Sequence, residues 1–293
     1  MEVRVLKYFL AVANEESILR ASQKLHLSQP TLSRQLMDLE DSLDKKLFVR
    51  SSKGITLTDE GMLLRQRAEE IVDLIDKTEN EIRSDSENIS GDVYLGAGET
   101  EAVRYLARAA REIQAENPDI HYHLFSGNAE NVMERLDKGL IDFGLLLDAN
   151  DTVKYDSVLL PASDRFGVLM RKDSPLADRT MVTFKDLKGY PLIISAQMHY
   201  DRAEEKTIKR LMASLDVVAT YNLVYNASIF VEEGFGYAIA FDNLIKTSGD
   251  SPLCFVPLEA QRDIQPYLVW KKDKVFSKAA ELFLNKMKET FGE

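Results

Sequence analysis

The sequence predicts an N-terminal winged helix-turn-helix over residues 1–58, a long linker helix over 59–90 and an α/β domain over 91–293. Two short amphipathic helices are followed by a turn-rich pair of extended segments, which indicates the first part. Apolar residues then repeat at steps of three and four residues, which predicts a long helix. Beyond Gly91, strand-like and helix-like segments alternate, a pattern typical of sheets with parallel strands.

Composition limits the class of protein. No apolar run in the 293 residues reaches the ~18 residues that a membrane helix needs, so we expect no membrane partner. The single cysteine, Cys254, excludes an internal disulfide framework and is typical of a reducing compartment. The first residues carry no signal-peptide pattern, so we expect a cytoplasmic protein.

Charge is distributed unevenly along the chain. The net charge is −11, but residues 1–58 carry nine Lys and Arg against seven Asp and Glu, a net charge of +2. Residues 59–88 carry four against ten, a net charge of −6, and the rest of the chain carries −7. A polyanionic partner such as DNA is therefore expected to bind the first sixty residues or so, since the other parts would repel it.

Residues 17–43 have the pattern of a helix-turn-helix. A short helix is predicted after the N-cap Ser17, and another begins after Ser28. Four leucines of the second helix follow one another at 4-3-4 spacing and therefore share its inner face: Leu32, Leu36, Leu39 and Leu43.

The start of this second helix is polar and rigid. Ser28 can cap the free N–H groups, and Pro30 sets the backbone where no N–H donor is needed. Gln29, the neighbouring hydroxyls and Arg34 then remain free to face a DNA groove, and an arginine can donate two hydrogen bonds to guanine O6 and N7.

The segment that follows predicts a β-hairpin wing and then the long helix. The extended runs KLFVR and GITLT flank the turn SSKG, and the wing carries basic residues for phosphates: Lys45, Lys46, Arg50 and Lys53. The long helix begins after Thr58, and its apolar seam is expected to pair with a second chain through Leu64, Ala68, Ile71, Ile75, Thr78 and Ile82. The alternative is a surface helix that packs on its own domain.

With these motifs in order, the chain resembles the LysR-type transcriptional regulators along essentially its full length. The resemblance is carried by SILRASQKLHLSQPTLSRQLMDLEDSLDKKLFVR and ITLTDEG, and further on by GDVYLGAG, ENPDIHYHLFSG, LDKGLIDFGLLL and EEGFGYAIA. The chain departs from the family pattern in having Asp44 where a turn glycine is usual. Its first strand–helix loop, GETE, is also more acidic than the hydroxyl-rich loop often found there.

The resemblance implies that the α/β domain consists of two Rossmann-like lobes, similar to periplasmic binding proteins, with a small effector between them. The first lobe would comprise about residues 91–162 and 266–293, and the second about 163–265. The chain would then be a sequence-specific DNA-binding regulator that responds to its effector. It would form a homodimer or homotetramer and could contact RNA polymerase.

The resemblance also implies which residues contact each partner. The expected DNA contacts are Ser28, Gln29, Pro30, Thr31, Ser33, Arg34, Arg50 and Lys53. The expected effector contacts are Thr100, Glu101, Ser126, Gly127, Asn128, Ser195, Ala196, Gln197 and Asn226. Hydroxyls and helix N-termini that converge in a cleft favour a polar or anionic effector. Glu99 and Glu101 leave open a cationic or zwitterionic one, if either side chain enters the cleft.

Other functions have weaker support in the sequence. His121 and His123 lie two residues apart on a predicted strand, but no carboxylate or thiol cluster accompanies them, so we expect no metal and no cofactor. No nucleophile elbow, phosphate loop or dinucleotide fingerprint is present, so an enzyme with an attached DNA domain is disfavoured. A cytosolic solute-binding protein whose N-terminal helices only form oligomers is the alternative, and the basic wing speaks against it.

Overall fold

The computed structural model describes residues 1–51, 54–83, 89–147, 153–197, 214–259 and 264–292. The chain divides into two compact units, Met1–Arg83 and Ser84–Glu293. The first unit contains α1 (Val3–Glu15), α2 (Ile18–Lys24), α3 (Gln29–Leu43), β1 (Phe48–Ser51), β2 (Gly54–Leu57) and α4 (Asp59–Arg83).

The second unit alternates strands and helices for most of its length. Its elements are β3 (Gly91–Ala97), α5 (Val103–Glu116), β4 (Ile120–Ser126), α6 (Ala129–Asp137), β5 (Phe143–Leu147), β6 (Tyr155–Leu159), β7 (Phe166–Arg171), β8 (Pro191–Ser195), β9 (Asp216–Tyr221), α7 (Val224–Glu232), β10 (Tyr237–Phe241), β11 (Leu253–Pro257), β12 (Pro266–Lys271) and α8 (Lys278–Phe291). The sequence pattern also predicts a helix over 202–215, and that range falls almost entirely outside the described residues.

Local capping sets the helix boundaries of the first unit. The Ser17 side chain accepts a hydrogen bond from the Arg20 N–H, and the Ser28 side chain accepts one from the Thr31 N–H, so both predicted caps are present. Asp44 takes the left-handed conformation, with φ at 50°, directly after α3. An aspartate therefore tolerates the backbone turn for which glycine is the usual choice.

A buried carboxylate joins α3 to the wing. Glu40 is 8% exposed, and its Oε1 accepts hydrogen bonds from the N–H groups of Leu47 (2.7 Å) and Phe48 (3.2 Å). Its Oε2 accepts one from Lys46 Nζ at 2.9 Å. Burial by itself would raise the pKa of Glu40, but these three hydrogen bonds outweigh it and the pKa is lowered.

The long helix α4 packs on its own unit through part of the seam that the heptad pattern assigns to a second chain. Ala68 is fully buried in the core formed with α1 and α3, and Leu64 and Val72 pack against the same core. Ala68 is therefore not available to a second chain, which corrects its assignment to a dimer seam. At about 100° per residue, the exposed apolar stripe lies to one side and contains Leu63, Ile71, Leu74 and Ile82.

Each sheet of the second unit is mixed rather than wholly parallel. The first sheet has the order β4-β3-β5-β12-β6 and the second β11-β7-β10-β8-β9. In the first, β12 runs antiparallel to both neighbours, and in the second β7 does so. The chain reaches β7 directly from β6 of the first sheet, and it reaches β12 directly from β11 of the second sheet. Each of the two strands therefore begins at the cleft. The order of elements along the chain does not reveal this reversal.

Helices cover both sheets and define two lobes. In the first lobe, α5 and α8 pack on one face of the sheet around the buried Phe143 and Phe283, and α6 packs on the other. In the second lobe, α7 covers one face and the other holds a core that includes Met170 and Leu187. The two α/β lobes confirm the predicted fold class.

The chain leaves the first lobe through residues 160–165, and it returns between β11 and β12, where the described residues include Ile264. Asp164 and Ile264 form a short antiparallel bridge there, with N–H···O distances of 3.0 and 3.2 Å. Strand β11, which precedes the return to the first lobe, was not among the predicted strands, and prolines flank its apolar residues. It lies at a sheet edge, the position in which strand prolines are tolerated.

Across the described residues, no helix combines the length and the apolar character needed to cross a membrane.

We predict that Glu40→Ala weakens the attachment of the wing. The buried N–H of Leu47 and the half-buried N–H of Phe48 lose their acceptor, at a cost of about 1–3 kcal/mol. Hydrogen exchange at the amides of Leu47 and Phe48 should accelerate accordingly, while Asp41→Ala on the exposed side of the same helix should leave it unchanged.

The same carboxylate gives this protection a pH dependence. Because folding lowers the pKa of Glu40, its stabilising effect is complete above the ordinary value of 4.5 and is lost as the pH falls through the lowered value. Equal exchange rates in wild type and Glu40→Ala at neutral pH would contradict the assignment.

Candidate functional site

The N-terminus of α3 forms an exposed polar surface on the first unit. Ser28, Gln29, Pro30 and Thr31 are exposed, and Ser33 is half-buried. The Ser28 Oγ lies 2.7 Å from the Thr31 Oγ1 and also caps the helix, so part of its hydrogen-bonding capacity is used within the chain. The remaining hydroxyl, amide and proline surfaces stand at the end of the helix that helix-turn-helix proteins insert into the major groove.

Arg34 lies one turn further along this surface. Its side chain is exposed, and it forms no hydrogen bond or ion pair with any described residue. A guanidinium without internal partners keeps all its donors for a base edge or a phosphate.

The wing lies in the same compact unit. Arg50 belongs to β1 and pairs with Ile55 of β2 in the antiparallel ladder. Lys53 lies outside the described residues. Lys45 and Lys46, before the wing, are exposed and pair with Glu60 and Glu40 respectively.

A cleft between the two lobes of the second unit forms a cavity of about 220 Å³. Its walls are mainly apolar, with a few amides and hydroxyls from strand and loop ends. The residues that line it are Gly98, Glu99, Gly127, Asn128, Ala129, Leu145, Leu146, Leu147, Phe166, Ser195, Gln197, Tyr221, Asn222, Val224, Ala240, Phe241, Leu244 and Ile264. A mostly apolar cavity with a few polar groups is the usual form of a small-molecule site.

Four of the nine predicted effector contacts line this cavity: Gly127, Asn128, Ser195 and Gln197. Asn128 also caps α6, since its Oδ1 accepts a hydrogen bond of 2.8 Å from the Asn131 N–H. A Cβ at Gly127 would lie about 3 Å from the side chains of Phe125 and Asn131, so a larger residue there would have to displace the Phe125 ring.

The other five predicted contacts lie outside the cavity lining. Thr100 is only 6% exposed, and its hydroxyl donates to Asp164 Oδ2 at 2.5 Å and accepts from the Ala102 N–H. Glu101 pairs with Arg104 on the next turn of the chain. Ser126 and Asn226 are exposed on the surface, and Ala196 follows Ser195 without reaching the cavity.

Several lining residues at strand ends were not among the predicted effector contacts. Phe166 and Phe241 form one wall, with ring centroids 4.5 Å apart, and Tyr221 and Asn222 follow β9. Tyr221, Asn222 and Phe241 lie at the carboxyl ends of parallel strands, which is where open α/β sheets bind ligands. Applied to the predicted strands β9 and β10, this rule would have indicated Tyr221, Asn222 and Phe241 as cleft residues.

The Glu99 side chain lines the cavity and contacts the opposite lobe. Its carboxylate accepts hydrogen bonds from the N–H groups of Val224 and Tyr225 at the start of α7, in the opposite lobe. Burial raises the pKa of Glu99, and these two hydrogen bonds act in the opposite direction without cancelling it. Burial and the nearby Glu99 charge also raise the pKa of Tyr221, whose hydroxyl donates to the Ile239 carbonyl at 2.7 Å.

Asp164 lies beneath the cleft, where the chain crosses between lobes, and is 1% exposed. Burial raises the pKa of its carboxyl. The Thr100 hydroxyl and the Glu101 N–H lower the pKa, while the charges of Asp242 and Glu101 add to the rise. Asp164 therefore connects the loop after β3, through Thr100, to Ile264 on the return of the chain to the first lobe.

The described residues contain no group of three His, Cys, Asp or Glu side chains arranged to hold a metal ion. His123 forms a hydrogen bond of 2.9 Å with Asp92 and stacks on Tyr94, with ring centroids 4.6 Å apart. The hydrogen bond and the ring stacking hold the imidazole of His123 on the exposed face of the first sheet.

Two family models match this chain. One, described as a bacterial regulatory helix-turn-helix protein of the lysR family, covers residues 3–62. The other, described as a LysR substrate binding domain, covers residues 86–292. Together they match most of both compact units, and residues 63–85, which include most of α4, lie between them.

Two of the following relatives match along nearly the full length of this chain, and the third along about two thirds of it. The uncharacterized HTH-type transcriptional regulator YvbU of Bacillus subtilis (strain 168) is 29% identical over 100% of this chain and 99% of its own. The HTH-type transcriptional regulator BsdA of the same organism is 27% identical over 97% and 99%. The DNA-binding transcriptional dual regulator OxyR of Escherichia coli (strain K12) is 28% identical over 68% of this chain and 65% of its own.

Solved structures share the fold. The LysR family transcriptional regulator CbnR has a TM-score of 0.77 at 18% identity, with both chains fully covered. Full-length CbnR in complex with its target DNA has a TM-score of 0.74 at 19% identity, covering 99% of this chain and 100% of that one.

We predict that Asp164→Asn changes how the stability of the second unit depends on pH. Folding raises the pKa of Asp164, so wild type is most stable relative to the variant below pH 3.8 and loses that advantage as the pH rises through the folded value. The asparagine can still accept the Thr100 hydroxyl but does not titrate.

Trp270, the single tryptophan of the chain, is buried in the first lobe and reports unfolding of this unit. Urea titrations followed by its fluorescence should give curves of stability against pH that diverge for wild type and Asp164→Asn. The exposed Asp156→Asn should follow wild type. Parallel curves for wild type and Asp164→Asn would show that the burial of this carboxyl has no energetic consequence.

Proposed function

Because this chain belongs to the LysR family of transcriptional regulators, we propose that α3 of its first unit reads operator DNA and that a small polar effector in the cleft controls the output. The observation that carries the DNA proposal is the exposed, unpaired Arg34 among small polar side chains at the start of a capped helix. The positive charge of residues 1–58 supports it, because DNA affinity depends on phosphate neutralisation.

Base contact and phosphate contact would be divided between helix and wing. Gln29, Thr31, Ser33 and Arg34 lie within about one turn of each other on α3, so they can reach neighbouring bases. Arg50 and Lys53 of the wing, with the Ser28 end of the helix, would position the unit on the backbone. Pro30 can offer only apolar contact, such as to a thymine methyl group.

Effector binding would act by closing the cleft. The two crossover segments form the only connections of the main chain between the lobes in the part of the chain that the structure describes, so a ligand that contacts both walls can change the angle between them. We propose that this change alters DNA bending or polymerase contact in the assembled regulator. Operator bending that is identical with and without a true effector would contradict this coupling.

Assembly is proposed to use the exposed stripe of α4. Leu63, Ile71, Leu74 and Ile82 are all at least 37% exposed and follow one side of the helix, which is otherwise rich in charged residues. A second copy of the helix would cover this stripe and give the homodimer, or a homotetramer built from two such pairs. The protein would work in the cytoplasm, where operator DNA and polymerase are found.

The two other functional classes have less support. A cytosolic solute-binding protein would use the cleft but leaves the polar N-terminus of α3 without a role. An enzyme would need reactive groups in the cleft, and the described lining residues provide amides, hydroxyls and one carboxylate without a paired acid, base or nucleophile.

We predict that Arg34→Ala weakens operator binding by about ten- to a hundredfold, since one bidentate base contact contributes ~1–3 kcal/mol of discrimination. The measurement is a titration of the chain's own upstream region and of random DNA at two salt concentrations. Arg111→Ala removes the same charge from an exposed site of the second unit and should bind like wild type.

The random-sequence duplex makes the Arg34 result decisive. The affinity of Arg34→Ala for this duplex should be close to that of wild type, because one positive charge contributes only a small part of the non-specific binding. If Arg34→Ala lowered the affinity for both duplexes equally, Arg34 would contact phosphate rather than bases.

We predict that Leu74→Asp weakens self-association at least tenfold, because a carboxylate would be buried against the partner helix. Sedimentation at several protein concentrations measures this change. Met62→Asp is the matched control, since Met62 is similarly exposed on another face of α4. A Leu74→Asp protein that stays dimeric would exclude this stripe as the dimer contact.

A further inference from the structure

The cleft contains an internal anion. Glu99 belongs to the loop between β3 and α5 of the first lobe, yet its carboxylate accepts the N–H groups of Val224 and Tyr225 in the second lobe. The two ends of this contact are 125 residues apart in the sequence. Glu99 is therefore a direct polar bridge across the cavity that it lines.

This carboxylate occupies the place that an anionic ligand would take. The first turn of α7 receives no side-chain cap from its own N-cap residue, Leu223. Free N–H groups and the helix dipole at such an end attract a negative charge, and Glu99 supplies it. The N-terminus of α7 is consequently already neutralised before any effector enters.

No basic side chain balances Glu99 within the described lining. The other described lining residues are apolar, or carry amides and hydroxyls such as those of Asn128, Ser195 and Gln197. A carboxylate effector would thus meet a fixed negative charge and find its best donors occupied. In a partly buried cleft that repulsion is only weakly screened by solvent.

The remaining surface of the cavity favours a different ligand. Glu99 accepts hydrogen bonds only, so it can bind a ligand that donates them. Phe166, Phe241 and Leu146 provide an apolar wall. The volume of about 220 Å³ lies below the ~300–1,000 Å³ typical of sites for drug-sized molecules, which favours a small effector.

We propose that Glu99 determines the charge of the effector: the cleft accepts a small uncharged or cationic molecule with an apolar body and a hydrogen-bond donor for Glu99, and it excludes carboxylates. This inference rests on the proposed role of the cleft as the effector site. The sequence favoured a polar or anionic effector and left a cationic or zwitterionic one open if Glu99 or Glu101 entered the cleft. The position of Glu99 in the cavity lining favours an uncharged or cationic effector over an anionic one.

The test exchanges charge at Glu99 and measures binding of benzoate, a small carboxylate with an apolar body. The full-length wild type should show negligible binding by calorimetry and no change in Tm. Glu99→Ala opens the N-terminus of α7 and should bind benzoate at least tenfold more tightly than wild type. Glu99→Gln keeps an acceptor for the Val224 N–H but removes the charge, so it preserves the fold and should show a smaller gain.

Glu101→Ala is the matched control. It removes the same charge two residues away, from a side chain that pairs with Arg104 outside the cavity lining, and should behave like wild type towards benzoate. Hydrogen exchange gives a readout that needs no bound ligand. The amides of Val224 and Tyr225 should exchange at least tenfold faster in Glu99→Ala, and benzoate should restore their protection.

Three results would overturn the proposal. These are wild-type binding of benzoate as tight as that of Glu99→Ala, no gain in either Glu99 variant, and an equal gain in Glu101→Ala. Operator binding measured without ligand separates this inference from the proposed function. A wild type that fails to bind operator DNA contradicts the regulator proposal, whereas the benzoate comparison alone decides the role of Glu99.

Discussion

The short bridge between Asp164 and Ile264 joins the two segments through which the chain leaves and re-enters the first lobe. Because each lobe contains a strand that arrives from the other, this pairing holds two five-stranded sheets beside one cleft. The Asp164 carboxylate extends the same contact to Thr100 and hence to the first strand–helix loop. That loop also carries Glu99, so the crossover and the cleft wall are parts of one hydrogen-bonded structure.

Polar groups in this cleft serve folding as well as binding. Asn128 caps α6, the Tyr221 hydroxyl bonds to a carbonyl, and Glu99 caps α7 from the opposite lobe. Buried polar groups need such partners, since an unpaired one costs free energy comparable to a lost hydrogen bond. A ligand in the cleft must therefore compete with, or add to, an existing set of internal hydrogen bonds.

The first unit separates its structural carboxylate from its recognition surface. Glu40 is buried in the C-terminal part of α3, where it accepts hydrogen bonds from the start of the wing. Arg34 is exposed on the side of α3 that faces away from the buried leucines. The helix is thus anchored near its end while its polar start stays open to solvent. This division lets the same element carry both the core and the candidate base contacts.

The sequence by itself determined the features that depend on neighbours along the chain. Ser17 and Ser28 cap helices within three residues, and Asp44 makes its turn locally, so these boundaries followed from residue type. Periodicity alone did not decide which face of α4 is free, because Ala68 is buried by residues of α1 and α3. Only the tertiary structure decided the reversed strands β7 and β12, the hydrogen bond from Thr100 to Asp164 and the reach of Glu99 to α7. These depend on contacts between residues tens to more than a hundred positions apart, which no local pattern of residues records.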